Sequence, residues 1–219
     1  MRLLLGAGGH AAIEERKNMF ISKMSDFLGG VKRVLFIPYA LKDYDGYVRK
    51  IKELGLDAGR ELMGIHEFEN PLDGLTWAQA IFMGGGNTFR LLKMLQDQQI
   101  MPGIRECVQG GMPYIGVSAG TNVACPKISN TNDMPIVWPN SPGGLGLVPF
   151  QINTHFVSGK AYYEVDGQMV PYAGESREDR LREYHEENGQ MVLAMREGAV
   201  LQVEGSTVTL DIAEARLFE

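Results

Sequence analysis

The chain has 219 residues, 44% hydrophobic and 22% charged, with a formal net charge of −6. These are ordinary values for a globular chain long enough to bury a core, and the acidic balance argues against nucleic acid or an anionic membrane as partner. No stretch approaches the ~20 apolar residues of a membrane span.

Residues 2–6 read as a first strand. Its apolar run is too short for a secretory leader, and the charged Glu14-Glu15-Arg16-Lys17 follows soon after. Gly6-Ala7-Gly8-Gly9-His10-Ala11 fits the glycine pattern of a dinucleotide-binding turn. Residues 33–38 form a second strand, but it ends in Ile37-Pro38-Tyr39-Ala40 without the acid that such a unit needs. Residues 45–54 are helical, with Tyr47, Val48, Ile51 and Leu54 on one side and Gly55 at the end. Residues 61–68 read as a third strand. Residues 80–83 read as a fourth, which runs into Gly84-Gly85-Gly86. No Lys-Ser/Thr follows these glycines, so they are not a P-loop. Residues 88–98 are a helix with Phe89, Leu91, Leu92 and Leu95 facing the core. Residues 112–117 are a fifth strand that ends at Ser118. Apolar strands alternating with helices indicate a mostly parallel sheet covered on both faces. Near the C-terminus, residues 190–194, 199–203 and 207–212 read as short strands. Glu204-Gly205-Ser206 joins the last two as a hairpin, which makes the sheet mixed. No linker divides the chain, so one domain over residues 1–219 is expected. Cys107 and Cys125 read as reduced thiols of a cytoplasmic protein.

Gly116-Val117-Ser118-Ala119-Gly120 fits G-x-S-x-G. A buried strand before the serine and a short helix (119–124) after it are the context of a nucleophile elbow. The helix N-terminus favours developing negative charge. A serine nucleophile needs a base. Of the four histidines, His66 sits in an expected strand and His185 on a charged, solvated helix. His155 follows the apolar segment 147–152 and is the best base. The acid that orients it is Asp133, in Thr131-Asn132-Asp133-Met134-Pro135, or Glu197, in a turn between expected strands; spacing does not choose between them. The oxyanion donors would be the N–H of Ala119 and that of Gly85 or Gly86.

Several ordered blocks then carry a resemblance. Gly84-Gly85-Gly86-Asn87-Thr88-Phe89, residues 114–122 around Ser118, residues 131–137, Gln151-Ile152-Asn153-Thr154-His155-Phe156 and residues 174–180 resemble the peptidase E (α-aspartyl dipeptidase) family of serine peptidases. The resemblance implies a three-layer α/β fold like that of class I glutamine amidotransferases. It also implies hydrolysis of dipeptides and short peptides that begin with L-aspartate, without metal or organic cofactor. Ser118 falls on the family nucleophile, His155 on its base and Glu197 on the proposed third member. Asp133 falls on an acid also linked to activity, and Asn87 on a substrate-binding position. An enzyme that selects an N-terminal aspartate must pair a carboxylate, which arginine does best. Arg177, in the first turn of a helix capped by Ser176 and Asp179 and ended by Asn188-Gly189, is the candidate. The chain departs from the family pattern at residues 6–10, at Val117, where relatives carry a larger side chain, and at the polar, aromatic stretch 158–172. A cyanophycinase-like peptidase or broad esterase would share Ser118 and His155 without needing Arg177. A non-catalytic protein would not need the full Ser, His and acid set. A monomer or homodimer is expected.

Overall fold

The structure of the protein, a computed structural model, describes residues 1–211 and 215–218. Its strands are β1 (Arg2–Gly6), β2 (Arg33–Ile37), β3 (Glu61–Gly64), β4 (Ala80–Met83), β5 (Tyr114–Val117), β6 (Gln151–Asn153), β7 (Tyr162–Val165), β8 (Gln168–Pro171), β9 (Val192–Met195), β10 (Val200–Glu204), β11 (Thr207–Asp211) and β12 (Ala215–Phe218). The helices are α1 (Glu14–Leu28), α2 (Tyr44–Glu53), α3 (Pro71–Trp77), α4 (Thr88–Asp97), α5 (Met101–Gln109), α6 (Ala119–Ala124) and α7 (Arg177–Asn188).

Among the described residues, seven strands form the central sheet in the order β11-β10-β1-β5-β4-β2-β3. The pairs β1–β5, β5–β4, β4–β2 and β2–β3 are parallel, while β10 runs antiparallel to both β1 and β11. Alternate residues of each strand enter different cores, as the two-residue period of a strand requires. Leu3, Leu5, Leu35, Ile37, Ile81, Met83 and Tyr114 pack with α3, α4, α5 and α6. Leu4, Val34, Phe36, Phe82 and Ile115 pack with α1 and α2 on the other face. The sheet is therefore a buried middle layer, mixed in direction.

Three expectations need correction. The third strand stops at Gly64, and Ile65–Glu67 continue as a 3-10 turn, because the Glu67 side chain accepts the Gly64 N–H and caps it. His66 thus lies outside a strand and contacts Asp45 Oδ1 at 3.0 Å. The strand expected at 190–194 spans Val192–Met195 and lies in a separate three-stranded sheet, β12-β9-β6. His185 is half-buried, with Nδ1 3.0 Å from the Gln190 carbonyl, where solvation was expected. Within the stretch 158–172, residues 162–171 fold as the exposed β7–β8 hairpin. The hairpin at 204–207 and the capping box of α7 form as expected. The expected strand 207–212 ends on Ile212, outside the described residues.

Candidate active site

The site is assembled at the carboxyl ends of β1, β4 and β5. Between β5 and α6 the chain reverses at Ser118, whose φ of 54° and ψ of −108° lie where non-glycine residues are strained. Such a conformation costs about 1–3 kcal/mol and persists only when its surroundings impose it. Here they do. The Ser118 N–H donates to the Gly6 carbonyl at 2.9 Å. Thr121 Oγ1 lies 2.8 Å from Gly6 O and 2.9 Å from Gly116 O, tying the ends of β1 and β5 together. The buried Tyr114 hydroxyl donates to Gly120 O at 2.6 Å. The flanking glycines are required by close approach. A Cβ on Gly116 would stand 2.8 Å from the Gly120 carbonyl, and one on Gly120 would collide with the Met83 carbonyl of β4.

The elbow exposes a hydroxyl already in a hydrogen-bond chain. Ser118 Oγ lies 2.7 Å from His155 Nε2, and His155 Nδ1 lies 2.8 Å from Glu197 Oε1. Strand register explains how residues so distant in sequence meet. β6 and β9 pair in parallel with Asn153 opposite Ala194, so the segments just beyond them run on side by side. The Phe156 N–H donates to Met195 O, and His155 itself turns outward with φ of 56°.

The loop after β1 packs against both partners of the serine. A Cβ on Gly8 would overlap the His155 ring, and one on Gly9 the Glu197 carboxylate. The Gly198 N–H donates to Gly8 O at 2.8 Å, which fixes the Glu197 turn to this loop. Residues 6–10 thus wall the site. In the sequence these residues fit a dinucleotide-binding glycine pattern and depart from the family's; paired glycines after a strand were the available signal for a wall. Behind them, His10 is 4% exposed and stacks on Phe20 with ring centroids 4.0 Å apart. Burial, aided by Arg16, lowers its pKa to about 4, so this imidazole is neutral.

The remaining expected residues fall in two groups. Gly85 faces the nucleophile: a Cβ on it would lie 3.2 Å from Ser118 Cβ. The Gly85 carbonyl accepts from the Tyr47 hydroxyl at 3.0 Å. In a trans peptide the N–H points opposite to the C=O, so this bond also orients the Gly86 N–H. Tyr47 went unnoticed in the sequence because its spacing marks it simply as a core residue of α2. Ala119 is the first residue of α6, where a backbone N–H has no partner within its own helix. Asp133 does not reach His155; its Oδ2 accepts the Thr88 N–H at 2.7 Å, at the start of α4. Asn87 is the N-cap of α4, with Oδ1 accepting from Arg90 N at 3.0 Å, and its Nδ2 donates to Met134 O at 2.8 Å. Its side chain thus bridges the helix start and the 131–137 segment.

Arg177 stands apart from the serine. It lines a groove of about 520 Å3 between residues 129–133 and α7, shared with Asp133 and Asn130, and Ser118 is not part of that lining. Arg177 Nη1 and both side-chain polar atoms of Asn130 are buried without hydrogen-bond partners. Burial lowers the Arg177 pKa, with Arg180 adding to the effect.

Fold and site together define a class: an α/β protein carrying a serine, histidine and glutamate chain at a strand-to-helix elbow, the arrangement of serine hydrolases. Residues 3–211 match peptidase family S51, and the chain belongs to that family. It is 46% identical over 199 residues to a peptidase E of Streptomyces coelicolor, covering 90% of this chain and 79% of the relative. It is 40% identical over 213 residues to a Drosophila melanogaster protein named "probable alpha-aspartyl dipeptidase", covering 96% of this chain and 85% of that one. A solved structure from Listeria monocytogenes shares the fold with a TM-score of 0.71 at 20% identity, covering 97% of this chain and 98% of its own. No helix among the described residues is long and apolar enough to cross a membrane.

Proposed function

We propose that this chain is a serine dipeptidase that releases an N-terminal L-aspartate through an acyl-enzyme. The observation that carries the reading is the continuous chain Ser118 Oγ, His155 Nε2, His155 Nδ1 and Glu197 Oε1, at 2.7 and 2.8 Å. These are the distances general-base catalysis needs. His155 Nε2 takes the Ser118 proton as Oγ attacks the carbonyl carbon after aspartate. Glu197 holds the Nδ1–H and stabilises the imidazolium that forms. The N–H groups of Ala119 and Gly86 receive the oxyanion; one such donor contributes about 3–4 kcal/mol of transition-state stabilisation. His155 then gives its proton to the leaving amine, and water, activated by the same imidazole, releases aspartate from Ser118.

Specificity for aspartate is supported by the groove beside α7. A buried guanidinium nitrogen without a partner is costly and is relieved by a carboxylate. Asp133, on the same groove, complements the substrate's α-ammonium. The names of the relatives point the same way. The reading of the chain as cytoplasmic is supported by its two free cysteines, Cys107 and Cys125.

Dipeptides beginning with Asp, β-Asp, Glu, Asn and Ala test the proposal. Asp-Leu is expected to be turned over in preference to the others. Ser118→Ala should lower kcat by several orders of magnitude while the thermal transition stays cooperative. Normal turnover by Ser118→Ala, or preference for β-Asp-Leu, contradicts it.

A further inference from the structure

A second, smaller cavity of about 210 Å3 is lined in part by Val117 and Gly85, the neighbours of the nucleophile. Phe20, Ile51, Phe82 and Val117 supply apolar walls, and Tyr47 and Lys50 also line it. It lies on the sheet face covered by α1 and α2, where Phe20, Ile51 and Phe82 share one core. Asp133 is bonded to the start of α4, a helix of the opposite face. The two concavities are therefore associated with opposite faces of the sheet. Continuity with the nucleophile is direct: Val117 precedes it, and Gly85 faces its Cβ.

A scissile peptide over Ser118 Oγ sends one residue to each side. With aspartate in the Arg177 groove, the leaving residue is directed toward this cavity. We infer that the cavity is the subsite for that leaving residue and that it selects a bulky apolar side chain, so the substrates are aspartyl dipeptides with a second residue such as leucine or phenylalanine. This rests on the reading that Ser118 cleaves after aspartate.

Size and chemistry support the assignment. The volume is below the ~300–1,000 Å3 typical of sites for whole drug-sized ligands, and suits one side chain. The lining is mostly apolar, and its polar groups come from His10, Tyr47 and Lys50. The imidazole is neutral, so it imposes no charge on an apolar guest. Val117, half-buried where a larger side chain would fill the space, keeps the cavity open.

The test is kcat/KM for Asp-Gly, Asp-Ala, Asp-Leu and Asp-Phe, with Ala-Ala and Ala-Leu as controls. The native chain should prefer Asp-Leu to Asp-Ala by about tenfold or more. Val117→Phe and Leu54→Trp fill the cavity from the strand and from the end of α2, far apart in sequence. Both should compress that preference to about twofold. Leu54 is half-buried at the rim, so the second variant stands if the first fails to fold. A flat profile in the native chain overturns the subsite, as does a preference that survives both substitutions. A leucine preference without an aspartate preference strikes the aspartate reading and leaves the subsite standing. An aspartate preference with a flat second position does the reverse. No turnover of any dipeptide overturns both.

Discussion

At the elbow, the Ser118 hydroxyl, both His155 ring nitrogens and Glu197 are joined by two short hydrogen bonds within the chain. In the groove beside α7, Arg177 Nη1 and the Asn130 amide are buried with no partner. The elbow is complete without a ligand; the groove becomes complete with one. This is the division expected when one region carries out a reaction common to many substrates and the other recognises a particular charge. Strain at Ser118 is balanced by bonds from β1, β5 and α6, so the reacting groups are preorganised. The unpaired guanidinium instead reserves its interaction energy for what enters.

The sharpest way to break this comparison is to exchange the two acids. Glu197→Ala should lower kcat by about 10³–10⁴-fold in steady-state assays with Asp-Leu, since it removes the group that orients His155. Asp133→Ala should retain far more kcat and raise KM. It should also cost about 0.5–2 kcal/mol of stability in urea unfolding, because the start of α4 loses a capping bond. Equal losses of kcat in both variants would contradict the separation.

Arg177→Ala comes next in size. It should reduce kcat/KM for Asp-Leu by about 10–100-fold, the value of a charge-assisted hydrogen bond, and leave Ala-Leu within about twofold. Equal loss on both substrates would make Arg177 a structural residue of α7.

A smaller effect concerns the wall behind the elbow. His10 has its pKa lowered from 6.5 to about 4 by burial. Above pH 6.5 it is neutral in both folded and unfolded chains and its contribution is fully present. As pH falls from 6.5 toward 4, the unfolded chain takes up a proton that the folded chain refuses. Stability therefore falls, by about 3 kcal/mol across that window for this one group. His10→Phe should show a shallower fall in Tm over the same range. An unchanged slope would contradict the placement of a neutral imidazole against Phe20.

Legibility in the sequence followed the same boundary. The parallel strands and the elbow were readable because short apolar runs ended at glycine or serine, and α7 because Ser176, Asp179 and Gly189 mark both of its ends. Helix α1 was not read: it starts at Ile13 without a side-chain cap, and its first turn is a charge cluster. Helix α5 carries Pro102 and Gly103 in its first turn, which read as breakers. The β9–β6 pairing was hidden because alternation reveals a strand and not its partner. At the site, residue type and order identified Ser118 and His155. The choice between Asp133 and Glu197 depended on register between β6 and β9, which spacing does not encode. The roles of Gly8, Gly9 and Tyr47 come from contacts made across the sheet ends and have no local pattern.

The most direct test of the central claim, that the elbow is a preassembled nucleophile, is covalent labelling with a fluorophosphonate followed by peptide mass spectrometry. The account predicts one adduct, on Ser118, formed in proportion to the loss of dipeptidase activity and suppressed by His155→Ala. Loss of activity with Ser118 unmodified, or an adduct that forms equally fast without His155, would contradict it.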